Sequence, residues 1–298
     1  MKGAVLAGRV LRSPGAEFVV RDVPTALRGQ VLGLRGYRVE RTGPRGRLIL
    51  PDCAVKLVLG FAGPARVVDA VDPRRAVTAV SLVNPARSTA CIGECDGLLH
   101  AITVRLAPSA AYRILGIPLD LMAGQPVDLA EVAGPAGRAL AERLAALPGW
   151  DARFAALEQW LALRLEAAPA GSAEVLAAWD LLTREAGAVS VGALASVTGW
   201  SSRRLERRFA QQVGLAPKAA AGVLRLRRAM RLQAGGLCWA DAAACAGYYD
   251  QPHFNHAFTA MVGRSPEWFR AAQAVADPRD ARTFIAGRHA SVLLDRSH

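Results

Sequence analysis

Along the 298-residue chain the spacing of apolar positions changes at about residue 107. Before that point, short apolar runs at 17–20, 46–50, 55–61, 66–71, 77–83 and 98–106 are separated by Gly, Pro, Asn and Asp. Runs of this length between turn signals read as strands, and their regular recurrence suits a barrel or a double sheet. The pattern does not set strand register. From Pro108 onward the period is helical. Residues 109–115 are apolar enough to pack on the sheet, 117–122 and 129–132 read as short turns, and 136–147 with 152–165 form a helical hairpin across Pro148 and Gly149. Such a hairpin serves equally as a dimer face or as a cover for the barrel.

Ala167-Ala-Pro-Ala-Gly-Ser172 combines small residues with a breaker and reads as a linker. After a helix at 173–186, one pattern is written twice. Gly199 matches Gly247, and Leu205, Phe209, Gly214 and Pro217 match Phe254, Phe258, Gly263 and Pro266 one residue later. In each copy a short helix of small and apolar residues (Val191, Leu194, Ala195; Ala240, Ala243, Ala244) meets a glycine followed by an aromatic. Glycine supplies the positive φ of a sharp helix exit. A second helix then starts on a side-chain cap, Ser201 or Ser202 in one copy and Asp250 in the other, where Pro252 fits the first turn. Leu205, Phe209 and Val213, then Phe254, Phe258 and Val262, recur every fourth residue and give each second helix a buried stripe. The opposite face is left free to read a partner.

Charge selects the partner. Between 201 and 231 stand Arg203, Arg204, Arg207, Arg208, Lys218, Arg225, Arg227, Arg228 and Arg231 against Glu206 alone, a local net charge of +8. Arginines can simply keep a helix solvated, but clustered on the second helix of a helix–turn–helix they point to double-stranded DNA. The whole chain carries +12, and the excess is spread through both halves.

Both copies, the helix between them near 219–233, and the closing Gly263-Arg-Ser-Pro-Glu-Trp-Phe269 together resemble the DNA-binding domain of AraC-type transcription regulators, with Gly247-Tyr-Tyr-Asp-Gln-Pro-His-Phe254 the most specific run. Upstream, Arg47-Leu-Ile-Leu-Pro-Asp-Cys53 and 104–115 more faintly resemble the barrel-plus-helices domain of one branch of that family. The expected fold is therefore α+β. A cupin-like β-barrel with accessory helices occupies 1–166 (β-rich 1–106, helical 107–166), followed by a linker at 167–172, an all-α double helix–turn–helix domain at 172–275 and a loosely held tail at 276–298.

The resemblance, carried over residue by residue, makes Arg203, Glu206 and Arg207 the groove-facing positions of the first reader, with Arg204 and Arg208 beside phosphates. In the second reader the matching positions are Gln251, Pro252, Asn255 and His256, with His253 adjacent. Arg suits guanine, Glu suits cytosine, and Gln or Asn suit adenine. The family often has Arg where His256 stands, so the first reader is expected to supply most affinity and the second to add register or a contact to RNA polymerase. A connecting helix of about 15 residues spans roughly 22 Å. One chain is thus expected to cover two successive major-groove turns of an asymmetric site of about 15–20 base pairs. A homodimer through the amino-terminal half would double the site.

Other function classes find little support. No apolar run reaches the ~18 residues needed to span a bilayer, and Arg9 interrupts the apolar start, which argues against a signal peptide and for a cytoplasmic protein. His100 is the sole histidine before residue 253, so neither a metal site nor a cupin-type metalloenzyme is expected. Neither a Gly-x-Ser-x-Gly elbow nor the Pro-Cys-His-Arg run of an alkyl-transfer repair regulator occurs. No catalysis and no cofactor are expected. Of five cysteines, Cys245 is assigned to core packing, and Cys91 with Cys95 forms the close pair, either a redox switch or two reduced thiols. The amino-terminal half reads as a sensor for an unidentified small effector. Arg47, Lys56 and Arg105 either meet a ligand carboxylate or phosphate or face solvent. The alternative to an effector-controlled regulator is an architectural DNA-binding protein without effector control.

Overall fold

A computed structural model describes residues 8–40, 45–275 and 291–294. Its first part holds β1 (Gly8–Ser13), β2 (Ala16–Arg21), β3 (Val31–Glu40), β4 (Arg45–Ile49), β5 (Val55–Gly60), β6 (Ala65–Asp69), β7 (Ala76–Ala79), β8 (Leu82–Asn84), β9 (Cys91–Cys95) and β10 (Leu98–Leu106). With β11 (Val127–Asp128) and β12 (Ser291–Leu294), these strands make two antiparallel sheets, ordered β1-β2-β3-β10-β5-β8-β11 and β12-β4-β9-β6-β7. Alternation in β5 puts Val55, Leu57 and Leu59 wholly inside, against Leu34, Ile102 and Val104. Over this core lie α1 (Pro108–Leu115), α2 (Leu129–Ala146) and α3 (Gly149–Ala167), which add Ala111, Ile114, Phe154, Leu157 and Leu161.

Several expectations need correction. β1, β3 and β9 were not legible, because β1 is exposed along its whole length and β3 and β9 are interrupted by Gly33, Gly36 and Gly93. The run at 77–83 divides into β7 and β8, and between them Ser81 Oγ accepts from the Gly60 N–H at 3.1 Å. The pieces at 129–132 and 136–147 belong to one helix broken at Gly134, whose φ of 58° precedes Pro135, a residue that disfavours a helical neighbour before it. Of the expected tail, residues 276–290 and 295–298 lie outside the described residues. Ser291–Leu294 do not form a free end, because they pair with β4 as β12.

The helical part contains α4 (Ala173–Arg184), α5 (Val191–Thr198), α6 (Ser202–Val213), α7 (Pro217–Ala234), α8 (Trp239–Cys245), α9 (Gln251–Val262) and α10 (Pro266–Val275). Its two apolar cores both recruit the β part. Cys53 joins Leu194, Leu205, Phe209 and Val223, while Leu48, Leu50 and Ala90 join Phe254, Phe258 and Val262. The Ala90 N–H donates to the Met261 carbonyl at 2.7 Å, and the Ser172 N–H donates to Gln212 Oε1 at 3.0 Å. The helical part is therefore packed onto the second sheet, and the chain enters it from α3 through residues 168–172. Among the described residues, no helix is long and apolar enough to cross a membrane.

An ionic cluster sits in the same contact. Lys56 and Arg105 stand directly opposite each other on β5 and β10, and both reach Asp52 Oδ2, at 3.4 and 3.0 Å. Burial opposes the Asp52 charge, but Lys56, Arg105, Arg227 of α7 and the Ala54 N–H outweigh it and hold the carboxyl well below its ordinary value. Of the three cations proposed for a ligand, Lys56 and Arg105 are thus engaged within the protein. Arg47 lies on β4, half-buried. The cysteine expectations also change. Cys91 and Cys95 are buried four residues apart on one strand, about 13 Å along its axis, too far for a disulfide. Cys245 is exposed, because Trp239, Ala242, Ala243 and Ala246 form the buried side of its helix.

Candidate nucleic-acid interface

The first reader is built by local capping. Ser190 Oγ accepts from the Ala193 N–H at 3.2 Å and opens α5, and Gly199 closes it at φ 65°. Ser201 is the cap of α6, accepting from the Arg204 N–H at 3.4 Å. Leu205, Phe209 and Val213 are buried, which turns the other side of α6 outward. Arg203, Arg204, Glu206, Arg207 and Arg208 are all exposed. Arg203 and Arg207 lie one turn apart, with Glu206 on the same face. Among the described residues no ion pair engages any of the five. The Arg204 guanidinium stacks on Trp200 at 4.5 Å and is held at the edge of that face. Arg208 Nη1 donates to Gln211 Oε1 at 3.3 Å.

Five of the nine cations counted between 201 and 231 lie on α7, and two of these are turned to other partners. Arg225 stacks on Tyr248 at 5.5 Å and so ties α7 to the second reader. Arg227 is half-buried and acts on Asp52. Lys218 and Arg231, at opposite ends of α7, are exposed.

In the second reader Gly247, at φ 83°, turns the chain after α8, and Asp250 Oδ1 caps α9 by accepting from the His253 N–H at 2.7 Å. Behind it Trp239, Tyr248, Phe254, Phe258 and Phe269 pack ring to ring, with neighbouring centroids 5.1 to 5.7 Å apart. Gln251, Pro252, His253 and His256 are exposed. His253 Nδ1 accepts from the Tyr249 N–H at 3.4 Å, which ties that ring nitrogen to the turn. Asn255 is half-buried and its Oδ1 is shielded from solvent, which makes it less available than expected. Tyr249, overlooked in the sequence, is 92% exposed beside the cap of α9. Its position directly after a buried aromatic was the available signal, since one side of a turn faces the core and the next residue faces out.

Residues 194–272, which contain both readers, match the family model described as a helix-turn-helix domain. No curated protein sequence matches the chain. Among solved structures, ToxT from Vibrio cholerae is similar at 10% identity and a TM-score of 0.43, over 80% of this chain and 97% of that one. A second ToxT structure, from Vibrio cholerae strain SCE256 with an unsaturated fatty acid bound, has 11% identity and a TM-score of 0.41 over 86% and 99%. The AraC-like transcriptional activator CuxR has 14% identity and a TM-score of 0.29 over 78% and 83%. Likeness at these scores supports no assignment of function. The matched segment and its geometry together identify the carboxy-terminal part of this chain as a helix–turn–helix domain, whose two copies resemble those of AraC-type regulators.

Proposed function

We propose that this protein is a sequence-specific DNA-binding transcription regulator in which one chain places two reading helices in successive major grooves. The observation that carries the reading is the face of α6: Arg203, Glu206 and Arg207 are exposed together, free of ion pairs among the described residues, over a wholly buried Leu205 and Phe209. Arg203 and Arg207 suit guanine O6 and N7, and Glu206 suits a cytosine amine. Arg204 and Arg208 flank them toward phosphate. Gln251 and His256 of α9 form the weaker reader, with Asn255 and His253 supporting it. The 18-residue α7 between them is about 27 Å long, which with its end turns approaches the ~34 Å groove repeat.

Effector control through the β part is included in the proposal. Its support is the contact itself: β-part residues complete both helical cores, so a ligand that shifts the sheets also shifts the readers. The test is footprinting over promoter DNA. Protection of one or a few short sites supports a regulator, whereas uniform coverage supports an architectural protein and contradicts the proposal.

A further inference from the structure

Four neighbouring strands place one row of polar side chains across the first sheet. Arg12 stands opposite Glu17, Glu17 opposite Arg38, and Arg38 opposite His100. This row floors a groove of about 490 Å3 whose wall is the first turn of α3. The wall is fitted to the floor. Gly36, two residues before Arg38 and on the same face, leaves bare backbone where the Trp150 ring lies, and a Cβ there would come within 2.4 Å of that ring. Trp150 Nε1 donates to Glu17 Oε2 at 3.0 Å, and its ring meets His100 edge-on at 5.3 Å. Arg153, one turn on, is fixed by the Leu144 carbonyl at 2.9 Å and lies 4.7 Å over Phe61, with Nη1 3.0 Å from His100 Nε2.

Charge in the groove is unbalanced. Glu17 is engaged by Trp150 and by Arg12 at 2.8 Å. Arg38 has Glu40 at 3.3 Å, but both are more than half exposed, and such pairs contribute little. Arg153 makes no ion pair among the described residues. Burial first, then Arg153 and Arg38, push the His100 imidazole below its ordinary value and favour its neutral form. The α3 N-terminus has no side-chain cap, and its first-turn acid, Asp151, lies 3.6 Å from Arg21. Its free N–H groups add positive potential on the same wall.

We propose that this groove binds a small organic anion with a flat unsaturated body, its anionic head held by Arg38, Arg153 and the start of α3 and its flat body lying against Trp150. Aromatic surface beside fixed cations favours that combination over a bare inorganic anion or a neutral ring. Regulation from this site rests on the regulator reading above. Its route is short: α3 runs about 28 Å from the groove to an end tied to α1, where Arg164 donates to the Ile114 carbonyl at 3.0 Å and Arg113 to that of Leu165, and α1 packs against α6.

Calorimetric titration of the full chain tests the site with benzoate and 2-naphthoate, with 2-naphthamide as the neutral counterpart, and with inorganic phosphate alone. The carboxylates are expected to bind, with the amide and phosphate each weaker by roughly 10-fold or more. Arg38→Gln, at an exposed position, and Trp150→Leu are expected to weaken 2-naphthoate by a similar factor, and Arg66→Gln on β6 to leave it unchanged. Absence of carboxylate binding, equal binding of amide or phosphate, or indifference to both groove variants overturns the proposal. Gel-shift with and without 2-naphthoate separates the two readings. Binding in the groove with unaltered DNA retention overturns the regulatory route only, and loss of the DNA-binding reading leaves the calorimetric result standing.

Discussion

Replacing Asp52 by Asn keeps the side chain's shape and removes its charge, so it isolates what the carboxylate does between the two parts of the chain. Asp52 is 8% exposed, and it stands against Lys56, Arg105 and Arg227. Removing one partner of a buried ion pair costs about 3–5 kcal/mol, because the remaining charge is left without compensation. The variant is expected to lose stability in that range, read as the shift in urea midpoint at unchanged slope. Adding Lys56→Met removes one uncompensated ammonium and is expected to recover about 0.5–3 kcal/mol as a coupling term. The pH dependence has a definite sign. The folded carboxyl ionises below its ordinary 3.8, so its contribution is complete above that value and drains away as pH falls beneath it. The variant is expected to lack this component. A loss below about 0.5 kcal/mol, the range of ordinary surface substitutions, or an unchanged acid profile, would refute the reasoning.

Other outcomes follow from the readers and their support. Arg207→Ala is expected to cost about 1–3 kcal/mol of DNA binding and to relax preference at one base pair, checked by binding selection from a randomised site; an unchanged preference removes Arg207 from base reading. The pair Arg203→Ala and Arg207→Ala is expected to abolish specific retention in a gel-shift, while Gln251→Ala with Asn255→Ala only weakens it, and the reverse order contradicts the ranking of the two units. Phe258→Ala empties a fully buried site among Trp239, Phe254 and Phe269, and a cost of about 3–5 kcal/mol is expected in thermal or urea unfolding. Below His100's ordinary pKa, around 6.5, stability should decline as pH falls, because its neutral form is favoured in the fold; His100→Gln should flatten that part of the profile.

The sequence carried most of what is local. Ser201 and Asp250 as caps, Gly199 and Gly247 as turns, and the stripes of Leu205 and Phe254 follow from short-range geometry, and each stands where the pattern placed it. The phase of α8 was less legible, because a helix of Ala residues has no apolar contrast, and Trp239 rather than Ala240 and Ala244 proved to face inward. Register lay outside the pattern altogether. Lys56 opposite Arg105, and the Arg12–Glu17–Arg38–His100 row, exist only once five strands are aligned. Gly36 breaks the apolar pattern of β3 in the sequence, and only the packed structure shows that its missing side chain seats Trp150. Long-range packing also reassigned Arg225 and Arg227 from the outward basic face to Tyr248 and Asp52.

The central claim is that one chain supplies both readers of an asymmetric site. Hydroxyl-radical footprinting of the full chain, with stoichiometry measured on the same complex, tests it directly; the full chain is needed because Leu48, Leu50 and Ala90 complete the core of the second reader. One protomer protecting two adjacent major-groove turns on one face, across about 15–20 base pairs of non-palindromic sequence, is the predicted result. Protection that appears only with two protomers on a symmetric site would contradict it.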